Sequence, residues 1–111
     1  MKFQDFETDD SIIVMDLSGK IMGGEETTMF HGKLHEYIQA GKRQFVMDLK
    51  NVEWMNSVGL GMLISTLTTV KNADGRLVLA NITNIESILA MTRLITIFEH
   101  FDSRDAALKS F

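Results

Sequence analysis

Apolar and polar positions alternate in short runs at the start of the chain, then adopt a helical period, and that change recurs to the end. Met1 to Phe6 and Ser11 to Leu17 read as strands around the acidic turn Glu7 to Asp10, which predicts an antiparallel pair. From Gly24 the period is helical: Phe30, Leu34, Tyr37 and Ile38 share one face. Glu25 and Glu26 suit the positive end of that helix dipole, and Gly41 suits its C-terminal cap. Phe45-Val46-Met47-Asp48-Leu49 reads as a buried strand, followed by a short loop that is expected to carry Trp54 and Met55 on the surface.

The next helix opens at Ser57, and Leu60, Leu63, Ile64, Leu67 and Val70 form a stripe predicted to face a sheet. Val58 and Met62, four residues apart, fall on the opposite side and are expected to be exposed near Ser57. Asp74-Gly75 ends this unit as a turn, and Leu77 to Ala80 is a further strand. Asn84 is a candidate cap for a short helix with Ile85, Ile88 and Leu89 inward. Ile97 to His100 is the best remaining strand, and Asp102 or Ser103 caps a last helix carrying Ala106, Ala107 and Leu108.

The order is therefore ββαβαβαβα. Strands alternating with helices favour parallel pairing through right-handed crossovers, and the first hairpin adds an antiparallel portion. This is an α/β fold with a mixed central sheet and packed helices. No repeat, linker or low-complexity tract divides the chain, so its 111 residues read as a single domain over 1–111.

Composition removes several function classes. A hydrophobic fraction of 45% is too high for a disordered chain. A net charge of -4, with no cluster of Lys and Arg, argues against nucleic acid as a partner. The absence of cysteine rules out disulfides, thiolate metal sites and thiol nucleophiles together. Acids in Met1-Lys2-Phe3-Gln4-Asp5 replace the apolar stretch of a signal peptide, and no apolar run reaches membrane-spanning length, so a cytoplasmic protein with no membrane partner is expected.

Candidate chemistry centres on Met55-Asn56-Ser57-Val58-Gly59-Leu60-Gly61, where a hydroxyl stands at the junction of an extended segment and a helix. Gly59 and Gly61 fall in its first turns, and each costs roughly 1 kcal/mol relative to alanine, which points to close backbone approach. The bland reading of Ser57 is a helix N-cap, and that of Trp54 is a partly buried core edge. His31 and His35 have the i, i+4 spacing of a helical metal pair, but Gly32 replaces the glutamate of the zinc-protease pattern, so a solvated helix face is the better reading. Gly23-Gly24 lacks the Gly-Lys-Ser/Thr ending of a phosphate loop and reads as the turn into the first helix. Asp48 ends a strand as a catalytic acid could, without a recognisable convergent histidine or second carboxylate.

The run from Asp48-Leu49 through Trp54 to Asn56-Ser57-Val58-Gly59-Leu60-Gly61 resembles the STAS domains of bacterial anti-sigma-factor antagonists, whose pattern is D-L, an apolar and aromatic spacer, then D-S-S-G-L-G or D-S-T-G-L-G. Gly19-Lys20-Ile21, similar to the family's G-x-L or G-x-I, extends the resemblance over nearly the whole chain. It implies a non-enzymatic STAS-like single domain that acts by partner switching. The unmodified antagonist binds a GHKL-type anti-sigma serine kinase and frees a sigma factor; the kinase phosphorylates the motif serine with its own ATP and magnesium, and a PP2C-type phosphatase reverses this. By motif position the phosphoacceptor is Ser57, and the chain needs no cofactor of its own.

This chain departs from the pattern at Asn56, in place of the acid before the serine, and at Met22, in place of an aspartate after G-x-I. Val58 replaces the second hydroxyl, leaving Ser57 the motif's one phosphoacceptor. The expected partner surface comprises Met22, Trp54, Met55, Asn56, Ser57, Val58, Gly59, Gly61 and Met62. Such a surface suits a homo-oligomer as well as a kinase. The rival readings are an unphosphorylated STAS scaffold or ligand sensor, and a serine hydrolase or transferase, which lacks the G-x-S-x-G elbow.

Overall fold

The alternation at the chain's start becomes a hairpin of β1 (Lys2–Glu7) and β2 (Ile13–Ile21), registered from Lys2↔Ser18 to Glu7↔Ile13. The structure, a computed structural model, describes all residues from Met1 to Phe111. β2 runs beyond the expected strand and takes in Gly19-Lys20-Ile21, which pairs with the far end of β3 (Gln44–Met55). Between them lies α1 (Glu25–Gln39), with Phe30 and Leu34 buried. It ends at Gly41 (φ 90°): Gly41 N donates to Ile38 O and Lys42 N to Tyr37 O, so the last carbonyls are satisfied by a left-handed cap.

After β3 come α2 (Ser57–Asn72), β4 (Arg76–Ala80), a 3₁₀ turn at Thr83–Ile85, α3 (Glu86–Met91), a second 3₁₀ turn at Leu94–Thr96, β5 (Glu99–Phe101) and α4 (Arg104–Lys109). The sheet has five strands in the order β1-β2-β3-β4-β5, antiparallel at the hairpin and parallel thereafter. The ββαβαβαβα order and the mixed α/β sheet expected from the sequence are what the structure shows. Successive right-handed crossovers advancing in one direction put α1, α2 and α3 on one face. There Ile13, Met15, Phe45, Met47 and Leu79 meet Phe30, Leu34, Leu63, Val70 and Leu89 in the main core. On the other face, α4 lays Ala107, with half-buried Leu108, over Val14, Val46, Val78 and Ala80.

Several local expectations are corrected. Trp54 and Met55 lie in β3 and not in a loop, because the strand absorbs two bulges. Asp16↔Asp48 is followed by Ser18↔Asn51, and Gly19↔Val52 by Lys20↔Trp54, so β3 carries one extra residue at each step. Each bulge inverts the in-and-out alternation, which turns Leu49, Val52 and Met55 all toward the core.

The buried stripe of α2 is Gly59, Leu60, Met62, Leu63, Thr66, Leu67 and Val70. Met62, expected outside, is only 3% exposed, whereas Ile64, expected inside, is 37% exposed. The sequence pattern misleads because two inward positions do not look apolar. Gly59 lets the helix touch the end of β2, and Thr66 is buried with its hydroxyl donating to Met62 O at 2.8 Å.

Asn84 does not cap α3; its amide donates to Lys50 O and Val52 O, pinning the turn to the bulged part of β3. The last strand is Glu99–Phe101 rather than 97–100, with Ile97 exposed and Phe98 buried. Of the two candidate caps for α4, Ser103 holds the position, its Oγ accepting from Ala106 N.

Candidate functional site

β2 and β3 finish together at the ladder pair Ile21↔Met55, and both chains then leave the sheet at the same end. Met22 follows one strand directly and Asn56 the other. Gly23 (φ 91°) and Gly24 (φ 103°) make the turn into α1, in a backbone region that favours glycine. Gly23 also packs on α2: a Cβ there would lie 2.8 Å from Val58 Cγ1. That contact brings Met22 and Val58 to the same place, a juxtaposition the sequence alone does not reveal.

α2 is bound to the end of β2 at its first turn. Asn56 N donates to Ile21 O at 3.3 Å, and a Cβ at Gly59 would meet the same oxygen at 2.4 Å and Met55 Cβ at 2.8 Å. The N-cap is Asn56, whose Oδ1 accepts from Gly59 N at 3.0 Å. Ser57 is thus the first residue of the helix, exposed, with its hydroxyl not committed to the cap. Leu60 N is the first amide to reach back, to Asn56 O, which leaves the N–H groups of Ser57 and Val58 facing outward at the positive end of the helix.

Around this hydroxyl the exposed apolar side chains are Met22 (51% exposed) and Val58 (54%), brought together by the packing of Gly23 on Val58. Trp54, 50% exposed, precedes buried Met55 on β3 and so lies on the other face of the strand. Gly61 is exposed one turn further along α2. Met55 and Met62 are buried in the core and Gly59 is buried against Ile21, so these three support the surface from below instead of forming it.

A second polar cluster, on the α4 face, escaped the sequence. Asp48, 3% exposed, accepts from Lys50 N and Asn81 Nδ2 on one oxygen and from Arg104 Nε at 2.8 Å on the other. Arg104 Nη2 donates to Asp16 at 2.8 Å, so the second carboxylate that seemed missing converges on Asp48 through the guanidinium. Burial raises the Asp48 pKa, but Asn81, the Lys50 N–H and Arg104 together outweigh it and hold the carboxyl below its ordinary value. Asn81 adopts φ 59° to make its bond. An open depression of about 540 Å³ beside the cluster is lined by Asp48, Lys50, Asn51, Asn81, Ser103, Arg104 and Asp105. Side-chain partners 33 to 88 residues apart in sequence leave no short-range signal for such a network.

His31 and His35 find no third ligand, there being no group of three or more His, Cys, Asp or Glu placed to hold a metal. Burial, and secondarily His35, lowers the pKa of His31. No helix is long and apolar enough to cross a membrane.

The family model for the STAS domain matches residues 4–107. This chain belongs to the STAS domain family. It is 22% identical over 103 residues to BtrV of Bordetella bronchiseptica, assigned as an anti-sigma factor antagonist, covering 92% of this chain and 88% of that protein. A Thermotoga maritima crystal structure assigned to the same role superposes with a TM-score of 0.84 at 21% identity, over 97% of this chain and 92% of the other. The Bacillus cell fate determinant SpoIIAA in its phosphorylated form gives a TM-score of 0.76 at 16% identity, over 99% of this chain and all of that one. SpoIIAA in its unphosphorylated form also gives 0.76 and 16%, over 98% and 96% of the two chains. At these identities the structural likeness establishes the shared fold. Within this STAS domain, the G-x-I segment and the serine motif are the two strand ends that meet at Met22 and Asn56.

Proposed function

We propose that this STAS domain is an anti-sigma factor antagonist that binds a GHKL-type serine kinase and is released from it by phosphorylation of Ser57. The observation that carries this reading is an exposed serine hydroxyl on the first residue of α2, left free because Asn56 supplies the cap, beside the exposed apolar side chains of Met22 and Val58. The relation to BtrV and the fold shared with SpoIIAA support it.

The physics favours a switch at the surface. A phosphate on Ser57 carries about -1.5 to -2 charges at neutral pH, and the free N–H groups at the start of α2 and the helix dipole receive that charge without rearranging the core. Against a docked partner the same charge and bulk must be desolvated beside Met22 and Val58. A loss of about 3 kcal/mol there weakens binding more than a hundredfold. SpoIIAA resembles this chain equally well in its two forms, as expected if such a modification spares the fold.

The departures at Asn56 and Met22 remove negative charge beside the serine in the free protein. Met22 adds an adaptable apolar contact in its place. The test is incubation with the cognate kinase, ATP and magnesium, followed by intact mass measurement. The expected result is one added phosphate, abolished in Ser57→Ala while kinase binding persists. Ser57→Asp is expected to weaken binding while its melting temperature stays nearly unchanged. Binding without any mass increase would replace this reading with an unphosphorylated STAS scaffold, and PP2C-type phosphatase treatment would then have no substrate.

A further inference from the structure

The two glycines of the serine motif are held for different reasons. Gly59 is required by the fold, since any side chain there would run into Ile21 O and Met55. Gly61 is not: a Cβ at that position meets nothing within 4 Å, and its backbone is ordinary helix that alanine would adopt more readily. It stands exposed in a helix whose residues from Ser57 to Val70 include no charge at all. A solvated helix face is normally charged, so this one is unusually cheap to strip of water.

Resting on the kinase-docking reading of Ser57, we propose that Gly61 is the point where the kinase's backbone crosses α2. Glycine is kept there for external contact at the expense of helix stability. Four residues place Gly61 about 6 Å along the helix from Ser57, on the side reached by anything that docks beside the hydroxyl. The segment that crosses there is uncharged, because it faces Val58, Gly61 and the half-exposed Ile64 without an ionic partner. A methyl group at Gly61 would stand between the two backbones and hold them apart.

Gly32 provides the matching control. It is an exposed glycine within α1 whose Cβ would likewise meet nothing within 4 Å, and it lies outside the surface around Ser57. The experiment compares wild type, Gly61→Ala and Gly32→Ala in full-length protein, by urea unfolding and by calorimetric titration with the kinase. Both variants are expected to raise the folding equilibrium constant by about fivefold. Gly61→Ala alone is expected to weaken kinase binding at least tenfold and to slow Ser57 phosphorylation in parallel. Unchanged binding by Gly61→Ala, with wild type binding normally, overturns this inference and leaves the proposed function standing. Equal weakening in Gly32→Ala also overturns it, since the effect would then be general helix stiffening. A wild-type protein that binds no kinase removes the proposed function itself.

Discussion

Gly59→Ala tests whether the exposed serine is positioned by backbone contact between α2 and the end of β2. The added methyl would lie 2.4 Å from Ile21 O, 2.8 Å from Met55 Cβ and 3.1 Å from Ile21 Cγ2. Two of these neighbours cannot swing away. Ile21 O is a strand-end carbonyl that also accepts from Asn56 N, and Met55 is 1% exposed at the base of the core. Restoring ordinary contact at about 3.4 Å requires the helix to retreat by about 1 Å from the strand. Overpacking costs roughly 1–3 kcal/mol, and against two neighbours that cannot move the upper part of that range, about 2–3 kcal/mol, applies; the helix propensity gained by alanine offsets about 1 kcal/mol of it. The expected net loss is about 1–2 kcal/mol, or roughly 5–10 °C in Tm for a domain of this size. Thermal and urea unfolding monitored by circular dichroism would measure it, with Gly61→Ala as the opposite control. If Gly59→Ala proves as stable as wild type, the contact is soft and does not set the height of Ser57 above the sheet.

Removing the cap by Asn56→Ala should destabilise the protein by about 1 kcal/mol, because Gly59 N loses its acceptor; an unchanged urea midpoint would mean that Ser57 or water takes over the position. Arg104→Ala should cost about 2 kcal/mol, since it leaves Asp48 buried beside Asp16 without a cation, and Asp48→Asn in the same background should recover part of the loss. The pH dependence has a definite sign. The Asp48 pKa is lowered in the folded protein, so its contribution is fully present above the ordinary value of 3.8 and is lost as pH falls through the lower, folded one. Acid titration of stability should therefore fall less steeply below pH 3.8 in Asp48→Asn than in wild type.

The parts of this fold that were legible in the sequence are those set by local chemistry. The hairpin, the helical period after Gly24 and the caps at Gly41 and Ser103 each depend on residues within a few positions of one another. The illegible parts depend on contacts between distant segments. The two bulges in β3 shift its register against β2, a pairing between distant segments, and they carried Trp54 and Met55 into the strand. The phase of α2 depends on Gly59 meeting Ile21, whose carbonyl lies 38 residues back along the chain. A hydrophobicity pattern weighs glycine and threonine as neutral, so it placed Ile64 inside and Met62 outside.

The same contacts explain how one short motif can serve both stability and exchange of partners. Its residues alternate between the two tasks around the first turn of α2. Met55, Gly59 and Met62 are buried, with Gly59 seating the helix against Ile21 at the end of β2, while Trp54, Ser57, Val58 and Gly61 are left to the solvent. A charge placed on Ser57 lies on the outer set, beside the unpaired N–H groups that receive it, and is separated by the helix backbone from the core below. The inner set should therefore respond to substitution mainly in unfolding measurements and the outer set mainly in binding measurements. An outer-set variant such as Val58→Ala that lost several kcal/mol of stability would show that the division is false. Val58 touches Gly23 and so has some structural role, but at 54% exposure the loss expected from its truncation is no more than about 1 kcal/mol.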